Sequence, residues 1–480
     1  MQDPRKESID TQASMMHTIS NKRMSSDART NTISDLPTDV LYRIVERLPL
    51  LDVARMSILS SRWQDIWTST PFLNFNAEFF STVLKDKVTD TNLFCNIVSK
   101  ILFQHEGPIL KFALFVPRLN TCPDLNQWIS YLSRAGLKDF CLYNMFMPHR
   151  LHGLSWHLFA CDGLEKLTLC GSSFNPPPNF KGFPKLKSLI LNRVDIICSR
   201  FNNLVQSCPA LQNLVLTNFT FKQQGLIIIN APSLNIFVID GTFDSLDVKN
   251  VDSLVSSSIV LRKSGVNLRS SSSDLIKVLA NSTNLESLCL GGLCCKVMFK
   301  RCCIPDVSHK LNNLELKYLN LGNVDEFSSV IRCIQSFPNL QTLKISVQNS
   351  NDLDEHILDN KRNCTLLHLK CAEVEICSDS STELKLIELL LASSPKLEKL
   401  SVSFCAILKW SSYSMMLTKL NRFRRVSQKV EVVCADFIVL PNECEAVSSS
   451  SEESSSDSSS SENTSESDSA ESSDSIEFLV

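Results

Sequence analysis

The 480-residue sequence predicts an α/β fold in which an N-terminal three-helix unit precedes an irregular solenoid of repeats, with parallel strands inside, helices outside and disordered termini. Three observations predict it. Residues 36–67 have helical apolar periodicity interrupted by prolines, and an apolar triplet recurs from residue 109 to residue 402. Residues 448–475 are almost wholly Ser, Glu and Asp.

The three-helix unit is predicted from its prolines and its apolar spacing. Pro37 can open a helix because the first helical N–H has no intrahelical partner, and Pro49 ends that helix. Asp52 is the expected N-cap of the second helix, and a third short helix carries Trp63 and Trp67. A unit of roughly 35 residues is too small to sustain a core alone, so another body should cover part of its apolar surface.

Three sequence elements of this unit resemble the plant version of the F-box motif: Leu36-Pro37, Leu48-Pro49 and Leu59-Ser60-Ser61-Arg62-Trp63. Lys or Arg is commoner where Ser61 stands. F-box helices dock on the Skp adaptor subunit of a cullin-based SCF ubiquitin ligase, so the resemblance implies that Trp63 and Trp67 face inward. It also implies an adaptor contact that includes Leu36, Pro37, Leu41, Ile44, Leu48 and Pro49. The alternative is an ordinary helical hairpin packed into a larger domain.

The repeat has the form apolar-x-x-apolar-x-apolar. Its first positions in the first six copies lie 28, 27, 22, 25 and 23 residues apart, which is typical of leucine-rich repeats. The last two apolar residues are two apart, so a strand sends both to one face, and each unit needs its neighbours to bury that face. The copies begin at Ile109, Leu137, Leu164, Leu186, Leu211, Leu234, Leu285, Leu311, Leu340 and Leu397.

The spacing also predicts irregularity. Leu234 and Leu285 are 51 residues apart, which leaves room for a degraded copy at Leu254-Ile259 or a loop, and another degraded copy is expected at Leu366-Leu369. Returning helices are expected at residues 202–207, 274–281 and 330–336.

The C-terminal end of the array should close the solenoid, which otherwise exposes its last apolar layer. We expect a helix at 383–392, a last repeat strand, a helix around 415–425 and a strand at 430–433. The wording of residues 394–400, SPKLEKL, together with the later basic helix, resembles the FBD region of plant F-box/LRR proteins. The predicted segments are 1–32 (disordered), 33–78 (F-box), 79–382 (leucine-rich-repeat solenoid), 383–435 (FBD region) and 446–480 (acidic tail).

Charge separates the tail from the rest of the chain. Thirteen of the 51 acidic residues follow Lys429 and no Lys or Arg does, so residues 1–429 carry a formal net charge of +10. The tail has too little apolar content to offset its ordering entropy and is expected to be disordered. Its serines beside acidic residues are candidate phosphate acceptors, and a purely solubilising role is the alternative.

Composition and motifs exclude several classes of function. The start is too polar for a secretory signal peptide and no apolar run reaches about 18 residues, so we expect an intracellular protein of the nucleus or cytoplasm, without membrane association. Phosphate-binding glycine loops, HExxH and a nucleophile elbow are missing, so neither an enzyme nor a cofactor is expected. Cys294-Cys295 and Cys302-Cys303 lack zinc spacing and are expected to be buried thiols, and nucleic-acid binding is not expected.

The resemblance therefore implies a non-catalytic substrate adaptor, which joins the Skp adaptor and cullin through the F-box and binds an unknown protein target through the repeats. Residues that flank the core positions of the strands should point to the opposite face and contact the target. The predicted contacts are Lys166, Thr168, Lys187, Asn213, Glu286, Glu315 and Lys344. The alternatives are a ligase-independent scaffold or a small-molecule receptor with a pocket on the solenoid.

Overall fold

A computed structural model describes most of the chain between residues 33 and 438. The described ranges are 33–85, 90–116, 122–144, 152–222, 225–262, residue 279, 282–299, 309–322, 324–353, 365–378, 380–405 and 410–438. The predicted disordered segments 1–32 and 446–480 lie outside these residues, as does most of the helix expected at 274–281.

The N-terminal unit has three helices: α1, Thr38–Val45; α2, Leu50–Met56; and α3, Ser61–Ser69. The prediction that Asp52 caps α2 is wrong, because α2 begins at Leu50 directly after Pro49. Proline has its φ already near the helical value and lacks the N–H that a first turn leaves without a partner. Asp52 lies inside the helix and accepts a 3.0 Å hydrogen bond from Arg55.

This unit has a small core of its own and rests on the solenoid. Leu41, Val45, Val53, Trp63 and Ile66 form the core. Leu50 belongs to the core of the solenoid and Trp67 packs against both, so the expectation that another body covers part of the unit is confirmed.

The solenoid is built on a long sheet of parallel strands. Its strands are β1, Phe72–Phe75; β2, Lys111–Val116; β3, Asp139–Asn144; β5, Lys166–Cys170; β7, Ser188–Asn192; β9, Asn213–Phe221; β11, Ile236–Gly241; β13, Ser256–Leu261; β14, Ser287–Gly291; β15, Asn313–Leu321; β16, Thr342–Ser350; β17, Cys371–Ile376; β18, Lys399–Cys405; and β19, Glu431–Ile438. Each pairs in parallel with the next in this series, and β1 lies within the range predicted for the F-box.

The predicted triplets form the core of the repeats. All ten copies are buried at all three positions, and Leu214, Phe237 and Leu343, for example, are at most 1% exposed. The backbone before each strand repeats one hydrogen-bond pattern: the N–H groups of Gln212 and Asn213 both donate to the Lys187 carbonyl, at 2.8 and 2.9 Å. Burial and register together confirm the leucine-rich-repeat architecture.

The two degraded copies are real but differ from each other. Leu254 and Ile259 are buried as predicted, with Ser257 between them at the middle core position. The second copy is Leu369-Ala372-Val374 and not Leu366-Leu369, because β17 begins at Cys371 and its register with β16 aligns Ala372 with Leu343.

Ser257 is expected to weaken its repeat. The side chain is 1% exposed between Phe237 and Leu288, and its Oγ has no hydrogen-bond partner among the described residues. A buried hydroxyl without a partner costs about 1–3 kcal/mol. Ser257→Ala should therefore raise the free energy of unfolding by about 1 kcal/mol, measured by urea denaturation. Ser256→Ala, on the opposite face of the same strand, is the control, and equal effects would contradict this account.

The outer side of the solenoid carries helices at both ends and strands near its middle. Returning helices are confirmed at α7, Cys198–Gln206, and α9, Val324–Gln335. The other outer elements are α4, Ala77–Leu84; α5, Thr91–Phe103; α6, Leu125–Leu132; α8, Gly292–Met298; β4, His152–Gly153; β6, Ser172–Ser173; β8, Asp195–Ile196; β10, Leu226–Asn230; and β12, Ser245–Lys249. Strands β10 and β12 pair with each other where short, β-branched repeats leave no room for a helical return.

The C-terminal end matches its prediction closely. Helix α10 spans Ser381–Ser393, helix α11 spans Trp410–Arg422, and β19 is the last strand of the sheet. The buried carboxylate of Glu383 lies in the first turn of α10. None of the helices in the described ranges is long and apolar enough to cross a membrane.

Candidate functional site

The end of the three-helix unit that lies away from the sheet exposes apolar side chains. Ile58 is 85% exposed and Leu59 is 73% exposed in the turn between α2 and α3, and Leu36 is 36% exposed before α1. The two segments are adjacent, because the Trp63 indole donates a 3.0 Å hydrogen bond to Ser34 Oγ and Arg62 donates to the Leu36 carbonyl. We call Leu36, Pro37, Ile58 and Leu59 the distal face.

The six residues predicted to contact an adaptor do not share one surface. Leu36 and Pro37 lie on the distal face and are exposed, whereas Leu41 is completely buried in the helical core. Ile44 is half-buried on α1. Leu48 and Pro49 line two shallow clefts at the junction with the solenoid, beside Phe72 and Phe79 respectively. Leu41 therefore supports the surface from below.

Ile58 is absent from the predicted contact, and Leu59 entered the prediction only as part of the motif. The helical apolar pattern assigns Ile58 and Leu59 to the apolar surface of the second helix without predicting that they are exposed. The signal that could have identified them is their position, since both follow the last turn of α2 and precede the N-cap Ser60 of α3. In such a turn two consecutive apolar residues cannot both face the same core.

The inner face of the sheet, opposite the outer helices, is the second candidate surface. Side chains between the two strand core positions form a central row that runs from strand to strand in register: Thr168, Ile190, Val215, Val238, Ser258, Cys289, Glu315, Lys344 and Glu373. A flanking row lies two residues earlier on each strand and includes Lys166 and Asn213.

The residues predicted to contact a target all lie on or beside this face. Thr168, Glu315 and Lys344 belong to the central row, and Lys166 and Asn213 belong to the flanking row. Lys187 and Glu286 precede their strands by one residue and lie at the strand entrances. The structure therefore distributes them along the sheet, and β5 is many strands away from β16.

Ion pairs mark the two charged ends of this surface. Glu165 accepts a 2.8 Å hydrogen bond from Lys187 and lies 3.9 Å from Lys138, and Lys187 holds the pKa of Glu165 below its ordinary value. Toward the C terminus, Lys344 lies 2.9 Å from Glu373, and Lys317 lies 3.4 Å from Glu315. These pairs are solvent-exposed, so they contribute little to stability and are available for recognition.

Between the charged ends, the central and flanking rows carry no charged side chain on four strands, and the ion pair of Asp240 with Arg262 lies beside them. On β7, β9, β11 and β13 the two rows consist of Ser188, Ile190, Asn213, Val215, Ile236, Val238, Ser256 and Ser258. Ile236 is 40% exposed, and Val255, which precedes β13, is 39% exposed. We call these eight residues and Val255 the apolar window. Its apolar members are absent from the predicted target contacts, which are all polar side chains.

Most of the described cysteines are buried, whereas Cys141, Cys371, Cys377 and Cys434 are half-buried. Cys294 and Cys295 are at most 1% exposed within α8, and burial raises the pKa of the Cys294 thiol to about 12. Cys302 and Cys303 lie outside the described residues. Within the described ranges, His, Cys, Asp and Glu side chains form no group of three that could hold a metal ion.

Comparison with known proteins shows that the helical unit and much of the repeat array match known family models. The F-box domain model matches residues 33–75, and the model described as FBD-associated F-box protein At5g56370, LRR repeats, matches residues 125–345. F-box/FBD/LRR-repeat protein At1g13570 of Arabidopsis thaliana is 31% identical over 84% of this chain and 97% of its own length. FBD-associated F-box protein At5g27750 of the same plant is 23% identical over 84% of this chain and 98% of its own length.

Proposed function

Because the chain belongs to the family of F-box/FBD/LRR-repeat proteins, we propose that it is the substrate-recognition subunit of an SCF-type cullin ubiquitin ligase. In this proposal the distal face docks the Skp-type adaptor, and through it cullin, while the inner face of the sheet binds a protein target. Catalysis is left to the ligase partners. By binding the target, this chain raises the effective concentration of target lysines near the ubiquitin-charged enzyme.

The observation that carries the proposal is the exposure of Ile58 and Leu59. A soluble protein rarely presents two adjacent large apolar side chains at 85% and 73% exposure unless a partner covers them. Within the rest of the helical unit, Leu41, Val45, Val53, Trp63 and Ile66 form a buried core, and Leu50 joins the core of the solenoid. The F-box domain match over residues 33–75 includes both side chains.

Nothing in the described residues favours the small-molecule receptor. The best-formed clefts among them lie at the junction between the helical unit and the sheet, and they are shallow and partly polar. A receptor pocket on the inner face would need an enclosed, mainly apolar cavity. The ligase-independent scaffold is separated from the proposal by experiment.

The double variant Ile58→Asp/Leu59→Asp is expected to weaken binding of a purified plant Skp-type adaptor at least hundredfold. Burial of one Leu or Ile side chain stabilises a complex by about 1.5–3 kcal/mol, and about 1.4 kcal/mol corresponds to a tenfold change in affinity. Both side chains are exposed, so the fold should not change. Binding is measured by calorimetry with the full chain.

The matched control is Leu367→Asp, which makes the same kind of change at another exposed apolar position, 54% exposed and remote from the helical unit in the sequence. Its adaptor affinity should equal that of the wild type. If the double variant binds the adaptor as tightly as the wild type, the distal face is not the docking surface. If the wild-type chain itself fails to bind the adaptor, the scaffold replaces the proposal.

A further inference from the structure

The apolar side chains of the apolar window form a row across adjacent strands of the sheet. Ile190, Val215 and Val238 lie side by side in the central row on β7, β9 and β11, and all three are half-buried. Ile236 is the neighbour of Val215 and Val238 in the flanking row. Four β-branched apolar side chains therefore lie together on the inner face, and the exposed Val255 lies at the entrance of β13.

The two flanks of the window carry opposite charges. On the side of β5, Lys166 and Lys187 are exposed, and Lys187 forms an ion pair with Glu165. On the side of β14, Glu286 is exposed at the strand entrance. The series β5, β7, β9, β11, β13 and β14 contains five strand spacings, which is a distance of about 24 Å at about 4.8 Å per spacing.

We propose that the apolar window binds one amphipathic α-helical segment of a protein partner, laid across the strands, with its carboxyl end over Lys166 and Lys187. This inference rests on the proposed function, because it names the structural class of target that this chain would recognise as the substrate-recognition subunit. A helix of about 16 residues spans 24 Å at about 1.5 Å per residue. Its carboxyl end bears partial negative charge and its amino end partial positive charge, which matches the lysines and Glu286 respectively.

The spacing of these apolar side chains favours a helical partner segment over an extended peptide. Ile190 and Val238 are two strand spacings apart, about 9.6 Å. Two helical turns advance about 10.8 Å. A helix with one apolar residue per turn therefore differs from the spacing between Ile190 and Val238 by about 1.2 Å over three contacts. In an extended peptide, successive side chains on one face are about 6.7 Å apart. Three such side chains differ from the spacing between Ile190 and Val238 by about 3.8 Å.

The experiment selects peptides from a displayed library of random 16-residue sequences against the full chain without an adaptor. The expected pool has apolar residues with a helical period near 3.6 and acidic residues toward the carboxyl end. The strongest binder, made as a fluorescein-labelled peptide, should lose at least tenfold in affinity for Val215→Thr/Val238→Thr. Threonine keeps the β-branched shape, so this variant should fold.

The matched control is Val433→Thr, which makes the same change at the same kind of position on β19, aligned with Ser401 of β18 and outside the window. It should leave the affinity unchanged. Lys166→Glu/Lys187→Glu should weaken the selected peptide at least tenfold and should bind more tightly a version with lysines at the carboxyl end. A central proline in the peptide should abolish binding.

Several results would overturn the inference. These are a selected pool with alternating apolar residues, a binder that tolerates the central proline, a binder insensitive to the window variant, or no enriched peptide. Failure of the proposed function is distinguishable from these results. In that case helical peptides bind the chain through the window while the adaptor fails to bind the distal face.

Discussion

Replacing Glu383 by alanine is expected to lower the free energy of unfolding of the C-terminal repeats by about 3–5 kcal/mol. The side chain is completely buried at the start of α10. Its carboxylate accepts hydrogen bonds from the backbone N–H groups of Cys377 and Ser378, at 3.1 and 3.4 Å, and from the Ser378 hydroxyl at 2.7 Å. Truncation removes the carboxylate acceptor of two partly buried N–H groups and creates a cavity.

The measurement is hydrogen exchange of α10 and the neighbouring strands, together with the urea midpoint. In a solenoid each repeat contacts mainly its neighbours, so the loss should be concentrated in β17, α10 and β18 and should be small near β2. Glu383→Gln is the control, because its amide oxygen can accept from the two N–H groups while its NH₂ donates to Ser378. An alanine variant as stable as the glutamine variant would contradict this account.

The wild type and Glu383→Gln should also differ in how their free energy of unfolding depends on pH. Burial raises the pKa of Glu383 above its ordinary value of 4.5, and hydrogen bonds from Ser378 and Cys377 offset part of that effect. The folded chain therefore holds this proton more tightly than the unfolded chain. The stabilisation of the folded state by this tighter proton binding is fully present below pH 4.5. It is lost as the pH rises through the raised pKa of Glu383 in the folded chain. Glu383→Gln should lack this decline in that pH interval.

The sequence predicted the features that depend on periodicity. A triplet such as Leu211-Leu214-Leu216 predicts a strand and its buried face together, because alternate positions must share a face. Helix α10 was predicted at 383–392 and spans Ser381–Ser393, since its apolar residues follow a helical period. Spacings of 22–28 residues between copies then identified the leucine-rich repeats, and register and burial confirm them.

The sequence did not predict which apolar residues face solvent. Ile58 and Leu59 have the composition of core residues, and only the turn between α2 and α3 directs them outward. Ile190, Val215 and Val238 are about 25 residues apart in the chain and become neighbours only through the register of three strands. The inner face therefore depends on long-range placement, which local patterns do not contain, whereas the distal face depends on one local turn.

Gly182→Ala is the other substitution expected to have a large effect, with a loss of about 2–5 kcal/mol in the free energy of unfolding. Gly182 has φ of +81°, and a Cβ atom there would lie 1.9 Å from the Ser207 carbonyl oxygen. That carbonyl cannot move freely, because Ser207 caps α7 and its N–H bonds to the Asn203 and Leu204 carbonyls. The left-handed conformation costs about 1–2 kcal/mol for alanine, and relief of the overlap costs about 1–3 kcal/mol more.

Two other glycines separate these two contributions. Gly136 has φ of +85° with its nearest neighbour at 4.0 Å, so Gly136→Ala should lose only the conformational part, about 1–2 kcal/mol. Gly153 has ordinary φ and no atom within 4 Å, so Gly153→Ala should be nearly neutral. Urea midpoints should fall in the order Gly153→Ala, Gly136→Ala, Gly182→Ala. Equal losses at Gly136 and Gly182 would mean that the outer turn at Gly182 can move away from α7, and that the stacking of these repeats is looser than the contact with Ser207 requires.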